Sequence, residues 1–301
     1  MHAVVVTEYG SSDVLSWQEV PDPEPGPGQI RIAVRAAGVG PTDLHIRAGH
    51  LQGPFPLPTP GVLGFEAAGT VDALGAGVDG VAIGDDVAVL LPGLGGYAER
   101  VLADTWVAKP PNVSWEAAAA FPASAEAAVA GLVQLDVRVG DHLLLFGGGG
   151  SVGSIALQLA VARGATVVAV GREHSRATIE ELGATFVPSD EPLLDAVRAR
   201  TDRVDAVLDA VGLGDLGPAV ELAGGTDRVV TLTGAAAKDG VHLLASGPHR
   251  APGALDETMP LLAAGELRLR SRTTFPMREA AAAHAALETA GPHDKVVLVV
   301  D

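Results

Sequence analysis

The chain has 301 residues, more than one ordinary hydrophobic core organises, so two domains are expected. A formal net charge of -17 argues against a nucleic-acid partner or an anionic membrane surface, and the absence of cysteine excludes disulfides, thiolate metal ligands and cysteine nucleophiles. No apolar run approaches membrane-spanning length and the first residues lack the basic start and long apolar stretch of a signal peptide, so the expected compartment is the cytoplasm.

The first third reads as short strands separated by turns. Residues 3–7 form an apolar run, a proline-rich stretch follows at 21–28, and residues 29–37 alternate polar and apolar. A glycine-rich block at 60–71 leads through 84–90 to 95–99 with no dominant helical period, which indicates a β-rich domain. The character changes at Ser114, an expected N-cap before an alanine-rich helix. From there strands and helices alternate: an apolar strand from residue 142, a helix, strand 165–170, a helix near 175–182, strand 206–208 and strand 228–234. Residues 279–290 are an alanine-rich helix, and 295–300 form a last strand that either domain is able to accept.

The turn after the strand at 142 carries the clearest chemistry. Gly148, Gly150 and Gly153 give G-x-G-x-x-G between an apolar run and a helix, with a second strand about twenty residues on, as dinucleotide-binding βαβ units require. A pyrophosphate must approach the backbone where a helix N-terminus supplies unpaired N–H groups, and a Cβ there keeps it away. Ser151 adds a hydroxyl near the first helical turn and Val152 packs under it.

Blocks 37–44, 60–71, 139–153, 163–165, 182–184, 204–212 and 295–298 together resemble the zinc-independent quinone oxidoreductase-like branch of the medium-chain dehydrogenase/reductase superfamily. The resemblance spans nearly the whole chain. It implies an α/β protein in which a Rossmann doubly wound parallel sheet is inserted in a GroES-like β-rich domain. The GroES-like substrate domain is expected at 1–113 and 271–301, the Rossmann domain at 114–270, and the active site in the cleft between them. The resemblance also implies a homodimer formed through edge strands of the cofactor domains, with residues 228–245 as the expected contact.

Zinc enzymes of the superfamily carry a cysteine ligand in the block matching 38–45 and a histidine in the block matching 64–66. Gly40 and Phe65 stand there, neither of which ligates a metal, so no metal is expected. Without the ion, Asp43 and Glu66 read first as buried carboxylates accepting local N–H groups, with catalysis by either of them the second possibility. A metal cluster of Asp43, His45 and His50 is disfavoured, because a loop histidine is more often solvated or packed.

The second strand of an NAD-specific unit usually ends in a carboxylate for the ribose 2′-hydroxyl. Here Gly171 holds that place, and Arg172, Ser175 and Arg176 offer charge and hydrogen bonds to a 2′-phosphate, which favours NADPH over NADH; Glu173 is the counter-argument. Relatives place a threonine before the cofactor strand to touch the nicotinamide, where this chain offers Ser124 or Glu126. Lys295 completes the cofactor-contact candidates.

With no metal to polarise a carbonyl, the expected reaction is hydride delivery to a quinone or to the β-carbon of an α,β-unsaturated carbonyl. The asparagine and tyrosine that quinone reductases present are replaced by Gly40 and by the neighbourhood of His50, Leu51 and Gln52. His50, whose charge is easily tuned, is the remaining donor or acid candidate. Tyr97 reads as a strand-packing residue, His284 as a packed or surface helix residue, and His249 with Arg250 as a loop lining the cleft or a dimer contact. The alternatives are a reductase or reductive cyclase of a specialised biosynthetic intermediate, and a catalytically silent NADPH-binding sensor.

Overall fold

A computed structural model describes residues 1–212, 215–234, 237, 240–244, 251, 253–290 and 294–300. His249, Arg250 and part of the 228–245 segment lie outside the described residues. The chain divides into two compact units, one of residues 1–123, 259–266 and 270–301, the other of 124–258 and 267–269.

In chain order the first unit opens with β1 (His2–Val6), β2 (Leu15–Glu19), β3 (Ile30–Val39), α1 (Pro41–Arg47), β4 (Gly61–Val62), β5 (Glu66–Leu74), β6 (Asp86–Leu90), β7 (Arg100–Ala103), β8 (Thr105–Ala108) and α2 (Trp115–Ala119). The run continues with α3 (Pro122–Gln134), β9 (His142–Phe146), α4 (Ser151–Ala162), β10 (Thr166–Gly171), α5 (Arg176–Glu181), β11 (Thr185–Pro188), α6 (Leu193–Arg198), β12 (Ala206–Asp209), α7 (Gly217–Ala223), β13 (Val229–Thr231) and β14 (His242–Leu243). It ends with α8 (Ala254–Ala264), β15 (Arg272–Pro276), α9 (Ala280–Ala290) and β16 (Lys295–Val299).

The first unit is β-rich. Among the described residues one sheet runs β15-β16-β3-β5-β6-β8 with β7 also on β3, and a smaller one runs β2-β1-β4. Strand β16 pairs antiparallel with β3, Val297 opposite Gly38, so the last strand, which periodicity alone assigns to neither domain, belongs to this unit. The core between these elements is built from Val4, Ile30, Ile32, Ile46, Leu63, Val89, Ala283 and Leu298 with their neighbours.

The expected boundary near residue 113 differs from the compact unit's limit at 123. The difference is α2: Ser114 caps it through its Oγ at 3.2 Å from the Ala117 N–H, as expected, and its Ala117, Ala118 and Ala119 are buried within the β-rich unit. An alanine-rich composition signals a helix but does not say which sheet the helix covers.

The second unit is a parallel sheet ordered β11-β10-β9-β12-β13-β14. Numbered within the sheet this is 3-2-1-4-5-6, the doubly wound order that reverses beside its first strand. Strand β9 is central and apolar, with Leu143, Leu144 and Leu145 fully buried, as a strand covered on both faces requires.

Close backbone approach fixes several glycines. Gly69 on β5 lies so near β3 that a Cβ would fall 2.2 Å from the Ala33 carbonyl oxygen. Gly69→Ala is expected to destabilise the protein by about 1–3 kcal/mol in urea unfolding, because backbone must give way, while Gly53→Ala, in open space, should stay within about 0.5 kcal/mol.

Candidate functional site

The candidate residues fall into two groups, one in each unit. In the second unit, β9 ends at Phe146 and the chain turns through Gly147 to Gly150 into α4. Gly147 has a φ of +80° and its carbonyl accepts the Gly150 N–H at 2.7 Å. A Cβ at Gly153 would fall 2.0 Å from the Gly147 carbonyl oxygen, and one at Gly148 would fall 2.8 Å from the Ala169 side chain. Glycine is therefore required to close the turn onto the helix and to lay it against β10.

Gly150 is the N-cap of α4 and no side chain caps it, so the first N–H groups of the helix, beginning at Ser151, Val152 and Gly153, lack intrahelical partners. Such an end favours an anionic group close to the backbone. Gly171 ends β10, and a Cβ there would press on Ile179 at 2.9 Å. Arg172 follows, exposed; its carbonyl accepts the Ser175 N–H at 2.8 Å, and its guanidinium has no hydrogen bond or ion pair among the described residues. Ser175 faces the turn: a Cβ on Gly149 would sit 2.4 Å from its Oγ. Arg176 stands apart from Arg172, since Glu173 and Glu180 engage it. Gly148, Gly150, Ser151, Val152, Gly153, Gly171, Arg172, Ser175 and Arg176 thus all lie at or just after the carboxyl ends of β9 and β10, adjacent strands of the parallel sheet. Ser124 and Glu126 are buried on α3, each 6% exposed.

In the first unit, Asp43 is buried in the third position of α1. Its Oδ2 accepts the Gly40 N–H at 2.8 Å and its Oδ1 the Gly64 N–H at 3.1 Å, so one carboxylate ties together the two loops that hold Gly40 and Phe65. Burial pushes its pKa up to about 6, against the Gly40 N–H and the Lys295 ammonium, which lower it. An anchoring role is what these contacts give Asp43. His50, the other acid candidate, is exposed, with its Nδ1 3.4 Å from that of His45.

Lys295, expected among the cofactor contacts, is committed to Glu66: Nζ and Oε1 are 2.6 Å apart, with Glu66 buried and the Lys295 side chain 10% exposed. The other Glu66 oxygen accepts the Ala123 N–H at 2.8 Å. Gly38 makes this possible, because a Cβ there would fall 2.2 Å from Glu66 Oε1. Lys295 Nζ also lies 3.9 Å from the place a Cβ of residue 40 would occupy.

A chain of polar groups links Asp43 outward, and it was invisible in the sequence. The Arg47 guanidinium donates to His284 Nδ1 at 3.4 Å, which leaves the ring proton on Nε2, 3.3 Å from the Tyr97 hydroxyl oxygen. The Tyr97 hydroxyl hydrogen is then directed to Asp43; burial, with the Asp43 charge beside it, raises the phenol well above its ordinary pKa. Arg47 also holds Glu288 and donates from Nε to the Gly10 carbonyl at 3.1 Å. Burial and the Arg47 charge lower His284 to about 3, so it is neutral. The one sequence signal was His284 four residues before Glu288 on an alanine helix, a spacing that puts both on one face.

Breaking the ion pair exposes its cost. Lys295→Met leaves the Glu66 carboxylate buried without a counter-charge and is expected to destabilise by about 3–5 kcal/mol in urea unfolding, with Glu66→Gln added to it recovering most of the loss.

The two shifted groups pull stability in opposite directions with pH. The Asp43 pKa is raised from 3.8 to about 6 by folding, so its contribution is complete at low pH and is lost as pH rises from about 4 to 6. The His284 pKa is depressed from 6.5 to about 3, so its contribution is complete above about pH 6.5 and is lost as pH falls. Between about pH 4 and 6 the slopes offset. His284→Gln removes one of them, and its unfolding free energy should fall with pH across that window by about 1 kcal/mol per pH unit relative to the unaltered protein. An unchanged slope would show that His284 does not titrate abnormally.

Comparison with known proteins agrees with this architecture. Residues 26–112 match the alcohol dehydrogenase GroES-like domain and residues 151–245 the zinc-binding dehydrogenase family. The chain is 30% identical to an NADPH-dependent alkenal/one oxidoreductase of Arabidopsis thaliana over 99% of its own length and 79% of the relative's. It is 31% identical, with the same coverage, to a 2-methylene-furan-3-one reductase of Solanum lycopersicum. Among solved structures, a quinone oxidoreductase from Coxiella burnetii superposes with a TM-score of 0.84 at 28% identity, covering 100% of this chain and 99% of that one. The chain therefore belongs to the medium-chain dehydrogenase/reductase superfamily, in its quinone oxidoreductase-like branch, and is an oxidoreductase of that family.

Proposed function

We propose that the protein reduces α,β-unsaturated carbonyls or quinones with NADPH and without a metal. The observation that carries the cofactor half is Arg172, a guanidinium with no partner among the described residues, at the end of β10 beside the glycine turn. Gly148, Gly150 and Gly153 keep the turn bare of side chains, and the N–H groups at the start of α4 meet the pyrophosphate. Arg172 and Ser175 are assigned to the adenosine 2′-phosphate, which a free guanidinium grips through parallel N–H donors. When bound, NADPH supplies a hydride.

The first unit supports the metal-free half. Zinc does not fit the residues present: Gly40 and Phe65 have no donor atom, and the Lys295 ammonium lies where a side chain at position 40 would project. Without a Lewis acid, an acceptor whose developing negative charge spreads to a remote oxygen suits the protein best. His50 is assigned as the exposed proton donor. The named activities of the Arabidopsis and tomato relatives support the enone class, and that of the Coxiella protein the quinone class.

Titration with NADPH and NADH should show tighter binding of NADPH. Arg172→Ala should weaken NADPH by about tenfold, the scale of one charge-assisted contact, and leave NADH nearly unaffected. Cofactor absorbance followed against a panel of enones and quinones should show turnover; tight binding with no acceptor oxidising NADPH would sink the enzyme reading in favour of a sensor.

A further inference from the structure

The two arginines that follow β10 are not equivalent. Arg176 is held on three sides: its Nε and Nη2 fork onto Glu173 at 2.7 and 2.9 Å, its Nη1 is 3.6 Å from Glu180 Oε1, and its guanidinium lies 4.3 Å over the Phe186 ring. Arg172 is exposed and unpaired among the described residues. Ser175, which abuts the glycine turn at Gly149, lies between the partners Glu173 and Arg176 in sequence and brings the pair close to that turn.

The fork matters because a carboxylate and a phosphate ask a guanidinium for the same thing, two parallel acceptors in one plane. Glu173 therefore occupies the donors that a 2′-phosphate would use. The same engagement keeps the Glu173 carboxylate, two residues past the strand end, from accepting a ribose hydroxyl as the strand-end acid of an NAD-specific unit does. The bond lowers the Glu173 pKa and raises that of Arg176, so both groups are charged when they meet.

We infer that Glu173 is an internal competitor for Arg176, and that displacement of its carboxylate by the 2′-phosphate sets how strongly the protein discriminates NADPH from NADH. The inference rests on the reading that the carboxyl end of β10 takes the adenosine end of NADPH. Glu173 is a specificity-determining residue that acts through Arg176. Its negative charge also repels the incoming phosphate, so the two effects of Glu173 on NADPH have the same sign.

Fluorescence titrations of the intact protein with NADPH and with NADH test this in four forms: unaltered, Glu173→Gln, Arg176→Ala and Arg172→Ala. All three side chains are at the surface, so the variants are expected to fold. Glu173→Gln frees the guanidinium and should tighten NADPH about fivefold, with NADH changed by less than about twofold, and the gain should shrink as salt is added. Arg176→Ala releases the Glu173 carboxylate and should weaken NADPH by about tenfold while NADH holds or improves. If Glu173→Gln leaves NADPH affinity unchanged or weaker while Arg172→Ala still weakens it, the competitor is refuted and the cofactor reading stands. If Arg172→Ala also leaves the ratio of the two affinities unchanged, the cofactor reading falls and this inference with it.

Discussion

A lysine ammonium and a glutamate carboxylate face each other at 2.6 Å inside the β-rich unit, and much of that unit is arranged to keep them there. Neither charge is tolerable alone in such a place, since each loses several kcal/mol of hydration that only its partner and well-placed hydrogen bonds return. Glu66 opens β5 and Lys295 opens β16, so the pair joins a strand from the first third of the chain to the strand that closes it. Gly38 on the intervening β3 provides the space, and the Ala123 N–H satisfies the remaining carboxylate oxygen. Asp43 lies next in this field. Its pKa reflects burial first and the Lys295 and Glu66 charges after it, and its two backbone hydrogen bonds hold the loops of Gly40 and Phe65.

The same unit shows how a polar network is oriented. A guanidinium only donates, so Arg47 decides which nitrogen of His284 carries the proton, and His284 in turn decides which way the Tyr97 hydroxyl points. Tyr97 had read as packing and His284 as a helix residue, and both are indeed buried. Their packing is inseparable from the direction of their hydrogen bonds, because a buried polar group left without a partner is costly.

The parallel-sheet unit works by a different constraint, the approach of backbone to backbone. Gly147, Gly148 and Gly153 are determined by distances at which a Cβ would meet a carbonyl or a neighbouring side chain. What results is a helix end with open donors and no side chain of its own to cap it. Gly171 completes the pattern one strand away, followed by Arg172, whose side chain finds no partner among the described residues, and Glu173 and Arg176, which find each other.

The glycine turn, the alternation of strands and helices, the Ser114 cap and the strand ends near Gly171 were legible because each depends on residues close in sequence and on a local geometry with few solutions. Gly40 and Phe65 were legible in the same way: a residue without a donor atom cannot ligate, whatever surrounds it. The partner of the last strand, the side to which α2 belongs, the pairing of Lys295 with Glu66 and the line from Arg47 through His284 and Tyr97 were not. These join residues between about 30 and 260 positions apart, and whether two such groups meet depends on strand order and register, which composition alone does not encode. The two arginines after β10 mark the division. Both are plain in the chain, but that Arg176 is held while the Arg172 side chain has no partner among the described residues emerges only on folding, because the carboxylates and the ring that hold Arg176 are placed by helix and sheet geometry.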